Sequence, residues 1–311
     1  MTEVLKETNF DFLGPKFTGK VRDVYSQKDR LILVTTDRHS SFDRIIAHIP
    51  WKGQVLNQIS AFWFEKTKDI VPNHLLAIPD PNVTVGKKCT LIPVEAVVRG
   101  YLTGVTDTSI WTRYGKGKRD FGNVVLPDGM KKNQKLPHPL FDPTTKEDTH
   151  DRAISLNEMV AEGLVTAKLL GQIEKTAIAL FARGEKIAKS HGLILVDTKY
   201  EFGTDENRKL ILIDEIHTPD SSRFWQIDSY AERFVAGEEP KYFDKEFLRL
   251  WFKENCDPYK DATLPEAPKE LVEELSRRYI QMYEQITGDK FVPGETPVIP
   301  RIERNLIPYA I

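Results

Sequence analysis

The sequence predicts a globular protein of mixed α/β class with more than one domain. Two apolar runs, Leu193–Val196 and Leu210–Ile213, have the length and composition of buried strands. The stretch Leu156–Ser190 instead carries apolar residues at helical spacing. The chain has 311 residues, which exceeds the usual size of one domain. We therefore expect two or three domains, with strands and helices sharing a sizeable core.

The chain after the first apolar run carries charged side chains at alternate positions. Asp197, Lys199 and Glu201 should point to one side of an extended strand, because successive side chains alternate faces. A polar turn centred near residues 205–206 would return the second run and bring Asp214 back beside Asp197. Three carboxylates and a lysine would then converge.

Such a cluster suits a site for a metal ion and a nucleotide. Mg²⁺ takes oxygen ligands, usually one or two carboxylates with substrate phosphates and water, and a nearby ammonium suits phosphate oxygens. An acid that ends a strand is more often a solvated turn residue, and the pair Asp214-Glu215 alone would be interpreted that way. The complete set on paired apolar runs favours the binding site.

Composition and charge exclude several classes of protein. A net charge of −2 gives no overall electrostatic reason to bind nucleic acid or a membrane surface. Cys89 and Cys256 are far apart and match no zinc or redox spacing, which fits a reducing compartment. The polar start of the chain and the absence of an apolar run of about 18 residues predict no signal peptide and no membrane span. We expect a cytoplasmic location.

The first chemical motif lies near the amino terminus. Gly14–Val21 matches G-x-x-x-x-G-K but lacks the final Ser or Thr of a P-loop, and no buried strand precedes it. Val21–Tyr25 and Leu31–Thr35 have strand patterns, so a glycine-bearing β-hairpin with Lys20 and Arg22 as cations over phosphates suits these residues better. An ordinary surface hairpin remains the alternative, since glycine is common in turns.

The next segments combine structure with candidate binding groups. Thr36–Arg44 is a dense polar loop that either carries binding groups or is a solvated connection. Lys52–Lys66 has apolar residues at helical spacing. Cys89–Leu102 has strand character, and its Glu95 and Arg99 should share a face. Arg99 either grips an anion or forms a structural salt bridge with Glu95.

The middle of the chain predicts a loop followed by helices. Residues 103–150 are rich in Gly, Pro, Lys and Asp, which suggests a long functional or mobile loop without fixed core. Ser155 and Glu158 form a capping-box pattern that starts a helix at about residue 156. Gly163 and Gly171 should divide the helical stretch in two, with a plausible stop at residue 192.

The carboxy-terminal region predicts two further helices. One covers Lys245–Glu254, and the other covers Pro268–Ile286, opened by its proline and closed by Gly288. The Pro-rich tail beyond them is not expected to be catalytic.

Several motifs resemble one enzyme family. Ile92–Gly100 (IPVEAVVRG) and Leu195–Gly203 (LVDTKYEFG) resemble the two signature motifs of the SAICAR synthetases, the phosphoribosylaminoimidazole-succinocarboxamide synthases of purine biosynthesis. GKVRDVY, DRHSSFD, FDPTTK with His150-Asp151, and DEIHTPDSSRFW follow in the family's order. The resemblance covers nearly the whole chain, and the carboxy-terminal helices resemble the family's longer form.

The resemblance implies a two-lobed α/β (α+β) fold similar to protein kinases and ATP-grasp enzymes. Residues 1–98 would form a β-rich nucleotide-binding lobe, and residues 99–228 a larger α/β catalytic lobe. Residues 229–311 would form a helical segment packed on the catalytic lobe. The expected partners are small molecules only, without nucleic acid or membrane, and a monomer is favoured.

The implied reaction joins the carboxylated aminoimidazole ribonucleotide CAIR to L-aspartate, with ATP and Mg²⁺, to give SAICAR, ADP and phosphate. Motif by motif, the resemblance assigns Asp197 and Lys199 to catalysis, Glu201 and Asp214 to Mg²⁺, Gly19, Lys20, Arg22, Glu95 and Lys146 to ATP, and Ser41, Asp43, Arg99, Ser109, Ser222 and Arg223 to CAIR.

One departure affects the substrate loop. The family commonly has Gly-Ser directly after the motif that contains Arg99, whereas here Gly104 is followed by Val105–Thr108 before Ser109. We align Ser109 with the substrate serine across an apparent four-residue insertion.

Two rival functions are a kinase and a nucleotide-binding regulator without catalysis. The kinase lacks support because no H-R-D-x-x-x-x-N and no V-A-I-K are present. The regulator needs no second-substrate site, so the two arginines argue against it.

Overall fold

The computed structural model describes residues 3–42, 44–106, 108–122, 124–146, 152, 154–242 and 246–311. Helices and strands alternate along this chain, which confirms the predicted mixed class. Within the described part, none of the helices combines the length and apolarity needed to cross a membrane.

The strands are β1 (Lys16–Thr18), β2 (Arg22–Ser26), β3 (Arg30–Thr35), β4 (Arg38–Ser41), β5 (Arg44–His48), β6 (Leu75–Asp80), β7 (Val83–Lys87), β8 (Thr90–Leu102), β9 (Gln134–Phe141), β10 (Thr144–Thr145), β11 (Leu193–Thr204), β12 (Leu210–Ile213) and β13 (Ser222–Gln226). The helices are α1 (Lys52–Thr67), α2 (Ile110–Gly115), α3 (Leu156–Ala161), α4 (Ala167–Ser190), α5 (Ile227–Ala236), α6 (Glu246–Asn255), α7 (Lys269–Thr287) and α8 (Val298–Leu306).

The chain divides into two compact units. Unit 1 comprises residues 1–62, 75–88 and 243–311, and unit 2 comprises residues 63–74 and 89–242. The predicted boundary between residues 98 and 99 would cut strand β8, whose thirteen residues lie in unit 2.

Unit 1 is built on a five-stranded sheet with the order β1-β2-β3-β7-β6. Its core joins the beginning of the chain to the end, because Leu5 and Tyr25 share an apolar cluster with Val298, Ile302 and Leu306 of α8. The buried Arg301 of α8 also donates to Asp80 of β6, at 2.9 and 3.0 Å.

The carboxy-terminal segment is grouped differently in the structure and in the sequence-based prediction. Residues 243–311 group with the amino-terminal sheet, whereas the sequence predicted that they pack on the catalytic lobe. Helix α8 was also missed, because prolines surround it. Pro297 precedes it and its apolar residues face the sheet on one side only.

Unit 2 is built on a second sheet in which β8 and β11 are the central antiparallel pair. Strands β9 and β10 share the outer edge of β8, and strands β12 and β13 share the outer edge of β11. Both outer edges are therefore interrupted partway along the central pair.

The predicted loop over residues 103–150 is wrong in its described part. This segment forms α2, β9 and β10, and Ile110, Tyr114, Phe121 and Leu140 belong to a buried cluster. Its apolar residues are spread among glycines and prolines, so they form no helical or strand periodicity from which a buried core could be predicted. Gly171 is also inside α4 and does not divide a helix, whereas the capping box of Ser155 and the break near Gly163 are confirmed.

Asp37 should make the stability of unit 1 depend on pH. Its carboxylate accepts from the backbone N–H groups of Leu5, at 2.7 Å, and Gly53, at 2.9 Å. Burial raises its pKa from 3.8 to about 6, although both hydrogen bonds and the charge of Lys52 oppose the rise.

We expect Asp37→Asn to remove this dependence. Between pH 4 and 6 the folded wild type binds more protons than the unfolded chain, so its stability relative to the variant should fall as the pH rises, by about 1–3 kcal/mol in total. Urea unfolding of both proteins at pH 4.5 and 7.5 measures this difference. An equal stability difference at the two pH values would contradict it.

Candidate functional site

The pairing of β8 with β11 determines where the predicted site residues lie. Arg99 is opposite Asp197, and Glu95 is opposite Glu201. The predicted alternation on β11 is confirmed, but the strand continues to Thr204, so the charged residues lie within it and not after its end.

A lysine lies between the two opposed glutamates. Lys199 Nζ donates to Glu95 Oε1 at 2.6 Å and to Glu201 Oε1 at 3.2 Å. Lys146 Nζ contacts the other oxygen of Glu201. Burial alone would lower the pKa of Lys199, but Glu201, Glu95 and Asp214 outweigh it and hold the pKa above its ordinary value. We call Glu95, Lys146, Lys199 and Glu201 the acid–lysine cluster.

Asp214 enters the site at the end of β12. Its backbone is in the left-handed region, with φ of 63°, which aspartate tolerates better than most residues. The ladder between β11 and β12 ends at the Glu201–Ile213 pair, so Asp214 leaves the sheet near Glu201. The expected position beside Asp197 is wrong because Thr204 pairs with Leu210, which centres the turn at residue 207 and not at residues 205–206.

A second group of charges lies two residues back along β11. Asp197 is opposite Arg99 of β8 on one side and Arg223 of β13 on the other. Asp197 Oδ2 is 3.9 Å from Arg99 Nη1, and Asp197 Oδ1 is 3.7 Å from Arg223 Nε. Beside this arginine pair, Ser222 Oγ donates to Thr198 Oγ1 at 2.7 Å.

Sequence reasoning missed the groups that hold these arginines. Asp142 accepts from Arg99 Nε at 2.6 Å, and Arg113 Nη2 contacts the same oxygen. Both lie in the segment that was predicted to be a loop. The family motif FDPTTK identified this segment as relevant, but nothing in the sequence indicated that Asp142 contacts the arginines.

Arg223 is supported in a different way. Its Nη1 donates to Thr103 Oγ1 at 3.4 Å, and Thr103 Oγ1 donates to Asn133 Oδ1 at 2.6 Å. Asn133 Nδ2 in turn donates to Glu239 Oε2 at 3.0 Å. No local sequence pattern links these four residues, because they come from four separate segments of the chain.

The opposite face of β11 is closed by an aromatic pair. Tyr200 Oη and His217 Nε2 are 2.7 Å apart and fully buried. Burial lowers the pKa of His217 to about 3, so the imidazole is neutral. A Cβ at Gly184 of α4 would lie 2.4 Å from His217 Cε1, so only glycine allows the helix this close. The pair links β11 to the loop that begins with Asp214.

The structure places Ser109 at the N-cap of α2, where its Oγ accepts from Thr112 N at 3.3 Å. A Cβ at Gly104 would be 2.5 Å from Ser109 Cβ, and Gly104 has φ of 100°. Gly104 and Ser109 are therefore in contact, although four residues separate them in the sequence.

The predicted phosphate-covering hairpin belongs to unit 1. Strands β1 and β2 form it, and Gly19 N donates to Arg22 O at 2.8 Å. The buried Arg38 donates to the carbonyls of Gly19, at 3.1 Å, and Lys20, at 3.4 Å, which fixes the turn. From the sequence, Arg38 was only one member of a polar loop.

The remaining predicted residues of unit 1 belong to the β4–β5 hairpin. Ser41 is half-buried and pairs with Arg44. Asp43 lies outside the described residues, as do His150 and Asp151 of the motif that follows FDPTTK.

The alternative salt bridge between Glu95 and Arg99 is not formed in the described structure. Glu95 pairs with Lys199, and Arg99 pairs with Asp142. Residues four apart on this strand therefore belong to separate groups.

The donor chemistry fits a hard divalent cation. Glu201 and Asp214 supply carboxylate oxygens, and lysines beside them suit phosphate groups. Among the residues that the structure describes, no group of three or more His, Cys, Asp or Glu side chains could hold a metal ion by itself. Two carboxylates with substrate phosphates are the arrangement typical of Mg²⁺.

The fold and the two charged groups define an enzyme that acts on anionic substrates. The acid–lysine cluster suits a metal and a phosphoryl group, and the arginine pair suits a second anion on the same sheet.

The comparisons make this specific. The chain belongs to the SAICAR synthetase family, whose family model matches residues 16–265. It is therefore an enzyme of the ligase class, and the predicted resemblance is confirmed. The phosphoribosylaminoimidazole-succinocarboxamide synthase of Legionella pneumophila (strain Lens) is 57% identical over 306 residues, which cover 97% of each chain.

Solved structures are similar in fold. SAICAR synthase from Saccharomyces cerevisiae, complexed with SAICAR, has a TM-score of 0.80 and 34% identity, over 93% of this chain and 100% of that chain. A type-2 SAICAR synthetase in complex with ADP has a TM-score of 0.67 and 24% identity, over 90% of this chain and 100% of that chain, and it shares the fold.

We expect Lys199→Met to destabilise unit 2, because Glu95 and Glu201 would then face each other without the ammonium group that contacts both. With solvent screening considered, the loss should be about 1–2 kcal/mol at pH 7.5.

Urea unfolding at pH 7.5 measures this loss. Lys68→Met is the matched control, since Lys68 pairs with Glu65 where both side chains are more than 60% exposed, at 62% and 65%. A loss no greater than that of the control would show that Lys199 does not stabilise the folded site.

Proposed function

We propose that the protein joins CAIR to L-aspartate with consumption of ATP, giving SAICAR, ADP and phosphate. The observation that carries this proposal is the position of two charged groups on one strand. The acid–lysine cluster at Lys199 and the arginine pair at Asp197 are two residues apart on β11, so a phosphoryl donor and a second anion can bind side by side.

The chemistry explains why both groups are needed. A carboxylate is a poor electrophile, because its charge repels an amine and oxide is a poor leaving group. Transfer of the terminal phosphoryl group of ATP to the CAIR carboxylate forms an acyl phosphate and releases ADP. The aspartate amine then attacks the acyl carbon, loses a proton, and displaces phosphate.

The acid–lysine cluster would serve the first step. We propose that Glu201 and Asp214 hold Mg²⁺, which would neutralise the charge of the ATP phosphates when bound. Lys199 and Lys146 both contact Glu201, so their ammonium groups lie beside a proposed Mg²⁺ ligand, where they would bind the phosphate oxygens of ATP. Phosphoryl transfer depends mainly on such positioning and charge neutralisation.

The arginine pair would hold the nucleotide substrate. Arg99 and Arg223 flank Asp197, and Ser222 lies beside Arg223. The contact between Gly104 and Ser109 supports the alignment of Ser109 with the family's substrate serine, because the two residues are neighbours in the structure although four residues separate them in the sequence. Ser41 and Asp43 stay predicted substrate residues.

The remaining assignments to ATP come from the resemblance. Gly19, Lys20 and Arg22 form a hairpin whose turn is fixed by Arg38, which suits a covering role over phosphates. The place of Glu95 near adenine stays a prediction, and its contact in the structure is with Lys199.

The comparisons support the same ligands. The relative from Saccharomyces cerevisiae was solved with SAICAR, and the type-2 synthetase was solved with ADP. The favoured monomer and the cytoplasmic location stay predictions.

The primary test is ADP release with Mg-ATP, CAIR and aspartate, omitting each substrate in turn and identifying the product by mass. We expect ADP and SAICAR together only when all three are present. ADP without aspartate and a stable phosphorylated product would favour a kinase. ATP binding without turnover would favour a regulator.

We expect Asp214→Asn to fold normally but to lose activity by on the order of 100-fold, because an amide is a poorer Mg²⁺ ligand than a carboxylate. Activity against Mg²⁺ concentration, together with Mn²⁺ binding by electron paramagnetic resonance, measures the loss. Asp228→Asn, at an exposed position of α5, is the control. Near-wild-type turnover would remove Asp214 from the mechanism.

We expect Gly104→Ala to weaken CAIR binding, because its methyl group would meet Ser109 Cβ at 2.5 Å and displace the serine. Gly117→Ala is a matched control. Gly117 has φ of 96°, close to the 100° of Gly104, but a methyl group added there would have no neighbouring atom within 4 Å.

Thermal melting measures the loss of stability from backbone strain, and steady-state kinetics measures the effect on CAIR binding. Both variants should lose about 1–2 kcal/mol to backbone strain, and only Gly104→Ala should raise the KM for CAIR. An equal KM in the two variants would remove Ser109 from the substrate site.

A further inference from the structure

Asp142 lies in the site, and no role proposed so far accounts for it. It follows β9, and its side chain is only 10% exposed. One oxygen, Oδ2, accepts from Arg99 Nε and also contacts Arg113 Nη2. A single carboxylate oxygen therefore joins a guanidinium of β8 to a guanidinium of α2.

We propose that Asp142 is a positioning residue that fixes the guanidinium of Arg99 in the orientation that binds the anionic nucleotide substrate. The inference rests on the proposed function and extends it to a residue outside the assigned set.

The backbone of Asp142 is tied to the same strand as Arg99. Asp142 N donates to Val97 O at 2.9 Å, in the gap between β9 and β10. Leu140, two residues earlier, is opposite Arg99 in the ladder. The position of the carboxylate relative to Arg99 is thus set by sheet hydrogen bonds.

The contact also leaves the binding end of Arg99 available. Asp142 accepts from Nε, and in a planar guanidinium one Nη group shares that edge while the other, Nη1, points away from it. Asp197 Oδ2 is 3.9 Å from Nη1, which is beyond hydrogen-bond distance, so Asp197 alone does not fix the orientation. Two-point binding of a phosphate or carboxylate requires the planar guanidinium to be oriented in advance.

Asp142 could act as a counter-ion or as a positioning residue, and the two roles predict opposite effects of its removal on anion binding. Arg99, Arg113 and Arg223 face Asp142 and Asp197, so the group has an excess of positive charge before substrate binds. Burial alone would raise the pKa of Asp142, but Arg99 and Arg113 hold it below its ordinary value, so the carboxylate is ionised. If Asp142 were only a counter-ion, its removal would strengthen anion binding. If it positions Arg99, removal weakens it.

Substitution at this position is structurally tolerable. Asp142 and Arg113 line a cavity of about 530 Å³, so the buried Asp142 side chain borders empty volume on one side. Asp142→Asn also keeps the shape of the side chain.

The test compares Asp142→Asn with Asp128→Asn. Asp128 is 89% exposed and pairs with Arg119 at 2.7 Å, so the control removes the same charge from an exposed ion pair. We expect the KM for CAIR to rise about tenfold in Asp142→Asn, with the KM for ATP unchanged and kcat reduced less. The control should stay within about twofold of wild type.

Arg113→Met separates the two arginines. It leaves the Asp142–Arg99 contact intact, so the KM for CAIR should change by less than in Asp142→Asn. Calorimetric titration with CAIR in the absence of ATP gives the same comparison without turnover.

Three results would overturn the inference. One is an unchanged or lowered KM for CAIR in Asp142→Asn. Another is an equal rise in the KM values of all three substrates with a lower melting temperature, which would indicate a structural role only. The third is a wild-type protein that binds no CAIR, which would overturn the proposed function itself and this inference with it.

Discussion

The site depends on the contacts that the Lys199 ammonium group makes with Glu95 and Glu201. Register places Glu95 directly opposite Glu201, and like charges opposite each other destabilise an antiparallel pair. Lys199 Nζ contacts both, and the two glutamates hold the pKa of Lys199 above its ordinary value although burial alone would lower it. Without the lysine, the two strands that form the centre of unit 2 would bring together two carboxylates. The same lysine is the predicted phosphate-contacting group, so stability and chemistry depend on one side chain.

The site lies where the outer strands on both sides of the central β8–β11 pair are discontinuous. On one side of the central pair, β9 ends and β10 begins around Asp142, and on the other side β12 ends at Ile213 and β13 begins at Ser222. The backbone groups exposed by these gaps are satisfied locally: Asp142 N donates to Val97 O, and Lys199 N donates to Ser221 O. Irregular segments with Asp142 and Asp214 at their starts can therefore lie against a regular ladder. The charged side chains of β8 and β11 are held by the ladder, whereas Asp142 and Asp214 come from the irregular segments in the gaps.

Periodic segments were the part of the fold that the sequence could predict. The paired runs around Asp197 and Asp214, the capping box at Ser155 and the helix closed by Gly288 follow from spacing and local chemistry. The core within residues 103–146 and helix α8 could not be predicted, because their apolar residues are brought together by tertiary contacts. The same limit applies to the site. Alternation placed three charged side chains on one face of β11, whereas Asp142 contacts Arg99 and Thr103 contacts Arg223 between segments that are distant in the sequence.

The two charged groups of the site are linked by the geometry of the strand that carries both. Asp197 and Lys199 are two residues apart, so the arginine pair and the acid–lysine cluster are separated by about 7 Å along one face of β11. This separation is fixed by the backbone and does not depend on either group being occupied. A substrate anchored by its anionic group at the arginines would present its remaining atoms toward Lys199 at a set distance. Because effective phosphoryl transfer requires reacting groups to be held within a few tenths of an ångström of the productive geometry, a rigid strand is a better support for both groups than two loops would be.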